Sequence, residues 1–173
     1  NAIFAVLLLM IMVPGVVLLI PQFILAKNLR LLNSLPGLIL VYSAGPLAFN
    51  TFLLRGFFQS LPRELEESAI IDGANSFTVF YRVMLPLAAP AVSTIAVFSF
   101  LGAWDEYILA LNFLTDEKLR TLPIAIANFR GQHSTNWGLV FAGSLTAVIP
   151  TIVLFVFFQR YFIQGLTSGA VRG

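Results

Sequence analysis

The sequence has no cysteine, one histidine and few charges. Without cysteine there is no disulfide, no thiolate metal site and no cysteine nucleophile. His133 has no carboxylate at ligand spacing and reads as a surface residue. A Gly-Lys-Ser/Thr phosphate loop is also lacking, so ATP has no binding motif in this chain. The basic residues are scattered along the chain, not gathered into a stripe, which removes support for nucleic-acid binding. No catalytic, metal or cofactor constellation is visible. Charged residues make up 10% of the chain, against about 25% in soluble domains.

What is present is apolar. Hydrophobic residues account for 58%, and the mean hydropathy is +0.91. Four stretches, 1–26, 31–54, 83–104 and 131–159, contain no charge at all. Each supplies the about 20 residues needed to cross a bilayer core, where a buried ion costs at least ~2.5–3.5 kcal/mol. A β-barrel would alternate apolar and polar residues, whereas "AVLLLMIMVPGVVLLI" and "TIVLFVFF" are apolar on every side. The expected fold is therefore all-α and polytopic, with four transmembrane helices.

The first span contains Pro14-Gly15 and Pro21, tolerated in a membrane helix at a kink, and ends at Lys27 and Arg30. It has no charged n-region or small-residue cleavage site and does not read as a signal peptide. The second, about 35–54, carries Gly45-Pro46 at its centre with polar Tyr42, Ser43, Asn50 and Thr51, and Arg55 closes it. The third covers about 87–113 and the fourth about 137–163, with Trp104, Tyr107, Trp137 and Tyr161 near span ends, where amphipathic rings suit the interface. The tail "QGLTSGAVRG" reads as too rich in glycine to continue a helix. Lysine and arginine divide five against five between the two sides, so the positive-inside rule does not orient the chain.

A polar insert separates spans two and three. In "SLPREL", Ser60 is placed to cap a helix, Pro62 suits its first turn, and Glu64, Glu66 and Glu67 oppose the positive end of its dipole. A helix over 62–72 would turn at Gly73 into a second over about 74–84, with Phe77, Phe80, Tyr81 and Met84 at three- and four-residue spacing. Such a hairpin is a membrane anchor, a docking element or a plain surface connector. Glutamate where an anchor would show lysine and arginine disfavours the first.

The spacing within this insert resembles a signature of binding-protein-dependent ABC importers. Their membrane subunits carry a cytoplasmic motif E-A-A-x3-G-x9-I-x-L-P, and this chain reads Glu67-Ser68-Ala69, three residues, Gly73, nine residues, then Val83-Met84-Leu85-Pro86. Ser68 for alanine and Val83 for isoleucine conserve size. "LPRELEESAIIDGA", "FLGAWDEYILAL", "TLPIAIANF" and "FFQRYFIQGLTSGAVRG" extend the likeness to carbohydrate permeases of the maltose-transporter type, over essentially the whole chain.

The resemblance implies a single transmembrane domain over 1–173, lacking the first two of six spans, in the bacterial cytoplasmic membrane. It implies a coupling loop over 61–86 that docks on a cytoplasmic ATPase through Leu65, Glu67, Ser68, Ala69, Asp72, Gly73, Phe77, Leu85 and Pro86. The implied partners are a second permease subunit, two cytoplasmic ATP-binding subunits, an extracytoplasmic sugar-binding protein and membrane lipid. Loop 114–136, with His133, would face that binding protein or serve as a solvated connector.

Asp105 and Glu106 lie about 19 residues beyond Pro86, hence roughly 28 Å along a continuous helix. Either they reach solvent while Trp104 anchors the helix end, or with Trp104 and Tyr107 they line the outer mouth of a sugar pathway. Asn50 is either a helix-to-helix hydrogen bond or a lining residue of that pathway. An alternative function is an ATP-independent secondary transporter or channel subunit, but such carriers keep ionisable residues near mid-membrane, and none stands there in these spans.

Overall fold

A computed structural model describes the backbone of residues 2–131 and 134–170, with side chains through Gln159. His133 and the last three residues, Arg172 among them, lie outside the described residues. The architecture is all-α. Among the described residues the only β feature is an isolated antiparallel bridge between Arg130 and Thr135.

The first apolar stretch forms α1 (Ala2–Ile11) and α2 (Leu19–Asn28), with a 3₁₀ turn Gly15–Leu18 leading into α2. The two halves meet at 101°, far beyond a kink. Pro14 is extended at φ −59° and ψ 130° and has no N–H to continue the ladder, which ends the first half outright. Pro21, by contrast, occupies the first turn of α2, where a missing N–H costs nothing. Span two is α3 (Leu35–Ala44) and α4 (Leu47–Ser60), bent by 43° at Gly45-Pro46 as the sequence suggests. Ser34 caps α3, its hydroxyl accepting the Gly37 N–H at 3.2 Å.

Four expectations are corrected. Helix α4 does not close at Arg55 but continues to Ser60, because arginine is a good helix former whose long stem can carry its charge outward. Ser60 therefore caps nothing: its hydroxyl donates to the Phe57 carbonyl, and α5 (Glu64–Ile71) begins behind Arg63. The third span is not one rod to Phe113. After α6 (Ser76–Val79), a π turn (Phe80–Met84) and the single turn α7 (Leu85–Leu87), the axis bends by 70° into α8 (Ala89–Trp104). The chain breaks again at Asp105, and α9 (Ile108–Phe113) starts anew. A 3₁₀ turn (Glu117–Leu119) and α10 (Leu122–Asn128) follow. Lastly, α11 (Trp137–Ala170) does not stop at the glycine-rich tail but runs through most of it. Each glycine costs only about 1 kcal/mol in a helix interior, and propagation of a helix already formed is inexpensive.

Among the described residues one helix, Trp137–Gln159 within α11, is long and apolar enough to cross a membrane unbroken, and three bent pairs reach that length and composition jointly. Large apolar side chains on these elements, such as Leu145 and Phe157, remain exposed, as a lipid-facing surface requires.

The packed core sits where α2 ends and α3 begins. Ala26, Leu38, Ala110, Phe113, Leu114 and Ile124 are buried together. The turn between α2 and α3 is pinned by Asn33, held at φ 52°. Its N–H donates to the Phe113 carbonyl at 2.7 Å, and its side-chain oxygen accepts the N–H groups of Thr115 and Asp116 at 3.1 and 2.8 Å. Gly37 packs so closely beneath this turn that a Cβ would collide with the Leu31 carbonyl.

Candidate functional site

Two regions hold the residues singled out from the sequence. The first is the hairpin α5 to α7. Glu64, Glu66 and Glu67 occupy the first turn of α5, facing the partial positive charge of its free N–H groups. Gly73 ends the helix at φ 84°, a conformation few residues other than glycine adopt readily. Its N–H donates to the Ile70 carbonyl and that of Ala74 to the Ala69 carbonyl, both at 3.0 Å, which is the paired bonding of a Schellman cap. Asn75 then caps α6 by accepting the Thr78 N–H at 2.8 Å. The turn is thus specified on both sides by backbone chemistry.

The hairpin is anchored to the body through few groups. Val79 is buried, and the Phe80 ring meets that of Phe58 on α4 at 6.3 Å. The Phe77 ring meets that of Tyr81 at 4.5 Å, tilted by 41°, yet Phe77 is 72% exposed, and Ile71 is 85% exposed. Glu67, Ser68, Asp72 and Pro86 are exposed, while Ala69 and Leu85 are half-buried. The structure therefore carries Leu65, Glu67, Ser68, Ala69, Asp72, Gly73, Phe77, Leu85 and Pro86 on one projecting element, with apolar groups left uncovered beside carboxylates.

The second region is a cavity of about 430 Å³ between the α3–α4 bend and α8, within the size range of small-ligand sites. It gathers Tyr42, Phe49, Asn50, Phe98, Ser99 and Glu106. Asn50 donates to the Ser99 hydroxyl at 3.0 Å, so it both joins two helices and lines the cavity. Glu106 does not extend to solvent: one oxygen accepts the Leu109 N–H at 2.7 Å, the other the Tyr42 hydroxyl at 2.7 Å and the Ala110 N–H at 2.9 Å. The carboxylate caps α9, which is why the third span restarts there.

The group 104–107 is split by this break. Trp104 packs toward α11: its ring N–H donates to the Ala147 carbonyl at 3.0 Å and its face stacks on Phe100 at 5.6 Å. Asp105 and Tyr107 line another cleft, of about 610 Å³, with Arg130 and Ser144. Sequence reasoning did not select Ser99 or pair Tyr42 with Glu106. The available signal was the rarity of such polar groups within apolar spans.

The family model described as "Binding-protein-dependent transport system inner membrane component" matches residues 1–168. The sulfoquinovosyl glycerol transport system permease protein SmoH of Agrobacterium fabrum is 40% identical over 160 residues, covering 92% of this chain and 56% of its own. The arabinooligosaccharides transport system permease protein AraQ of Bacillus subtilis is 37% identical over 173 residues, covering 100% and 61%. The trehalose transport system permease protein SugB of Mycobacterium tuberculosis is 40% identical over 168 residues, covering 96% and 61%. The chain thus spans a little over half of the length of these relatives. A solved bacterial ABC transporter involved in the import of the acidic polysaccharide alginate superposes with a TM-score of 0.70 at 28% identity, over 83% of this chain and 55% of the other.

Proposed function

The chain belongs to the binding-protein-dependent transport system inner membrane component family, and from that premise we propose that it is a permease subunit of an ATP-driven sugar importer. It would form half of a translocation pathway with a second permease subunit, in the bacterial cytoplasmic membrane. An extracytoplasmic binding protein would deliver sugar, and two cytoplasmic ATP-binding subunits would supply the energy. The permeases named for sulfoquinovosyl glycerol, arabinooligosaccharides and trehalose support the choice of a carbohydrate substrate.

The observation that carries this reading is the projecting hairpin. Its turn is defined by the hydrogen-bonded Gly73 cap, yet Ile71 and Phe77 remain exposed outside any packed core. Apolar groups displayed on a turn that the backbone fixes so firmly suit docking into a cleft of another subunit, and Glu67 would meet a basic group there. A single exposed ion pair contributes only ~0–1 kcal/mol. Burial of Leu65, Ile70, Ile71 and Phe77 at ~25 cal/mol per Å² would supply more. ATP-driven movement of the docked subunit would then be transmitted through α7 into α8 and the cavity beside Asn50 and Glu106.

The test is co-purification of the nucleotide-binding subunit with the intact importer. Gly73→Pro, which forces φ to about −65°, and Glu67→Arg are expected to remove that subunit and abolish ATP-dependent uptake. Retention of the ATPase by both variants, with uptake intact, contradicts the reading.

A further inference from the structure

Arg55 is placed where a charge needs company. It lies within α4, five residues before the helix ends, inside a helix pair long and apolar enough to cross a membrane. A guanidinium does not shed its proton in a protein, and an ion at a membrane boundary is stabilised by a partner or by reaching the headgroups. The protein supplies only part of this. The guanidinium carbon lies 3.9 Å from the centroid of the Phe4 ring, a cation–π contact that uses no N–H, and among the described residues no hydrogen-bond acceptor meets its N–H groups. Among the described residues the one ion pair is Arg120 with Glu117, so Arg55 has no carboxylate partner.

A second arginine shares its surroundings. Arg63, likewise without an ion pair, lines the same cleft of about 740 Å³ at the elbow between α4 and α5, together with Thr51 and Gln59. The apolar lining of the cleft comes from Leu54, Phe58, Leu61 and Met84. Glu66 stands beside them as the only acid of the lining. Two guanidinium groups and one carboxylate leave a net single positive charge, and the apolar lining adjoins the end of a span.

We propose that this cleft binds the phosphate of one anionic phospholipid of the phosphatidylglycerol class, with its acyl chains along the lining contributed by α4. Guanidinium groups hold phosphate oxygens in pairs, which provides the free N–H edges of Arg55 with acceptors. The single net charge matches a phosphodiester monoanion. Glu66 holds the cleft to a single net positive charge and so disfavours a phosphate dianion. A choline headgroup would bring a third cation toward the two arginines. The leaflet follows from the orientation proposed above for the hairpin; the binding itself does not depend on it.

The test is native mass spectrometry of the full-length protein in its assembled complex, titrated with phosphatidylglycerol and with phosphatidylcholine. Each arginine near the headgroups is expected to contribute about fivefold in preference, so the wild type favours phosphatidylglycerol by more than tenfold. Arg55→Gln and Arg63→Gln each lower that ratio about fivefold, Glu66→Gln raises it, and Arg120→Gln leaves it unchanged. Should Arg55→Gln not fold, Arg63→Gln and Glu66→Gln, both at exposed positions, decide the matter. An unaltered preference in those variants overturns the site. Displacement of the lipid by millimolar inorganic phosphate or glycerophosphoglycerol assigns the cleft to a soluble anion and overturns the lipid. Because the ratio is read on the membrane subunit, loss of the ATPase leaves this readout intact and keeps the two proposals separable.

Discussion

The two ends of the pair α3 and α4 are built on opposite terms. Where α3 begins, Phe113 and Ile124 are each 1% exposed, Asn33 ties one loop to another, and Gly37 leaves room for no side chain at all. Where α4 ends, the chain enters a hairpin whose turn is firmly specified by backbone bonds but which leaves Ile71 and Phe77 exposed. Burial at the first end satisfies the fold internally. At the second, the order resides in the turn, and the exposed apolar groups suit the docking proposed above.

Substitutions at the two ends should therefore fail in different assays. Phe113→Ala removes the largest fully buried ring and is expected to cost about 3–5 kcal/mol, seen as a lowered thermal midpoint and poor recovery of monodisperse protein. Gly37→Ala drives a methyl group into the Leu31 carbonyl, at the upper end of the ~1–3 kcal/mol range for overpacking, by the same measurement. Phe77→Ala should reverse the pattern, with stability unchanged within about 0.5 kcal/mol and the ATPase subunit held at least tenfold more weakly. If Phe77→Ala lowers the thermal midpoint as much as Gly37→Ala does, the contrast between the ends is lost.

The sequence made the helical character legible because charges are absent from long runs, and it placed two of the breaks because Pro14-Gly15 and Gly45-Pro46 interrupt the backbone ladder. Gly73 was legible for a similar reason: its role is local and belongs to the backbone. The break at Asp105 was not. It depends on Glu106 folding back onto the N–H groups of Leu109 and Ala110 while meeting Tyr42, 64 residues away, and an acidic side chain beside a tryptophan reads equally well as one that reaches water. The continuation of α4 through Arg55 is hidden likewise, since a charge after an apolar run suggests a helix end, whereas arginine continues a helix readily. In the candidate site, the hairpin residues stay together because they are near in sequence, whereas those of 104–107 part because one turn of backbone sends neighbours to opposite clefts.

Because residues 1–173 contain no cysteine, Phe77→Cys introduces the single thiol of this stretch, at the hairpin surface, in a protein whose remaining cysteines are replaced. The most direct measurement is the reactivity of that thiol in intact cells and in the purified importer. Protection from a membrane-impermeant maleimide applied outside, together with cross-linking to the ATP-binding subunit, is the predicted result. Labelling from the exterior, or a thiol that stays free and reactive in the cytosol while sugar uptake proceeds, would contradict it.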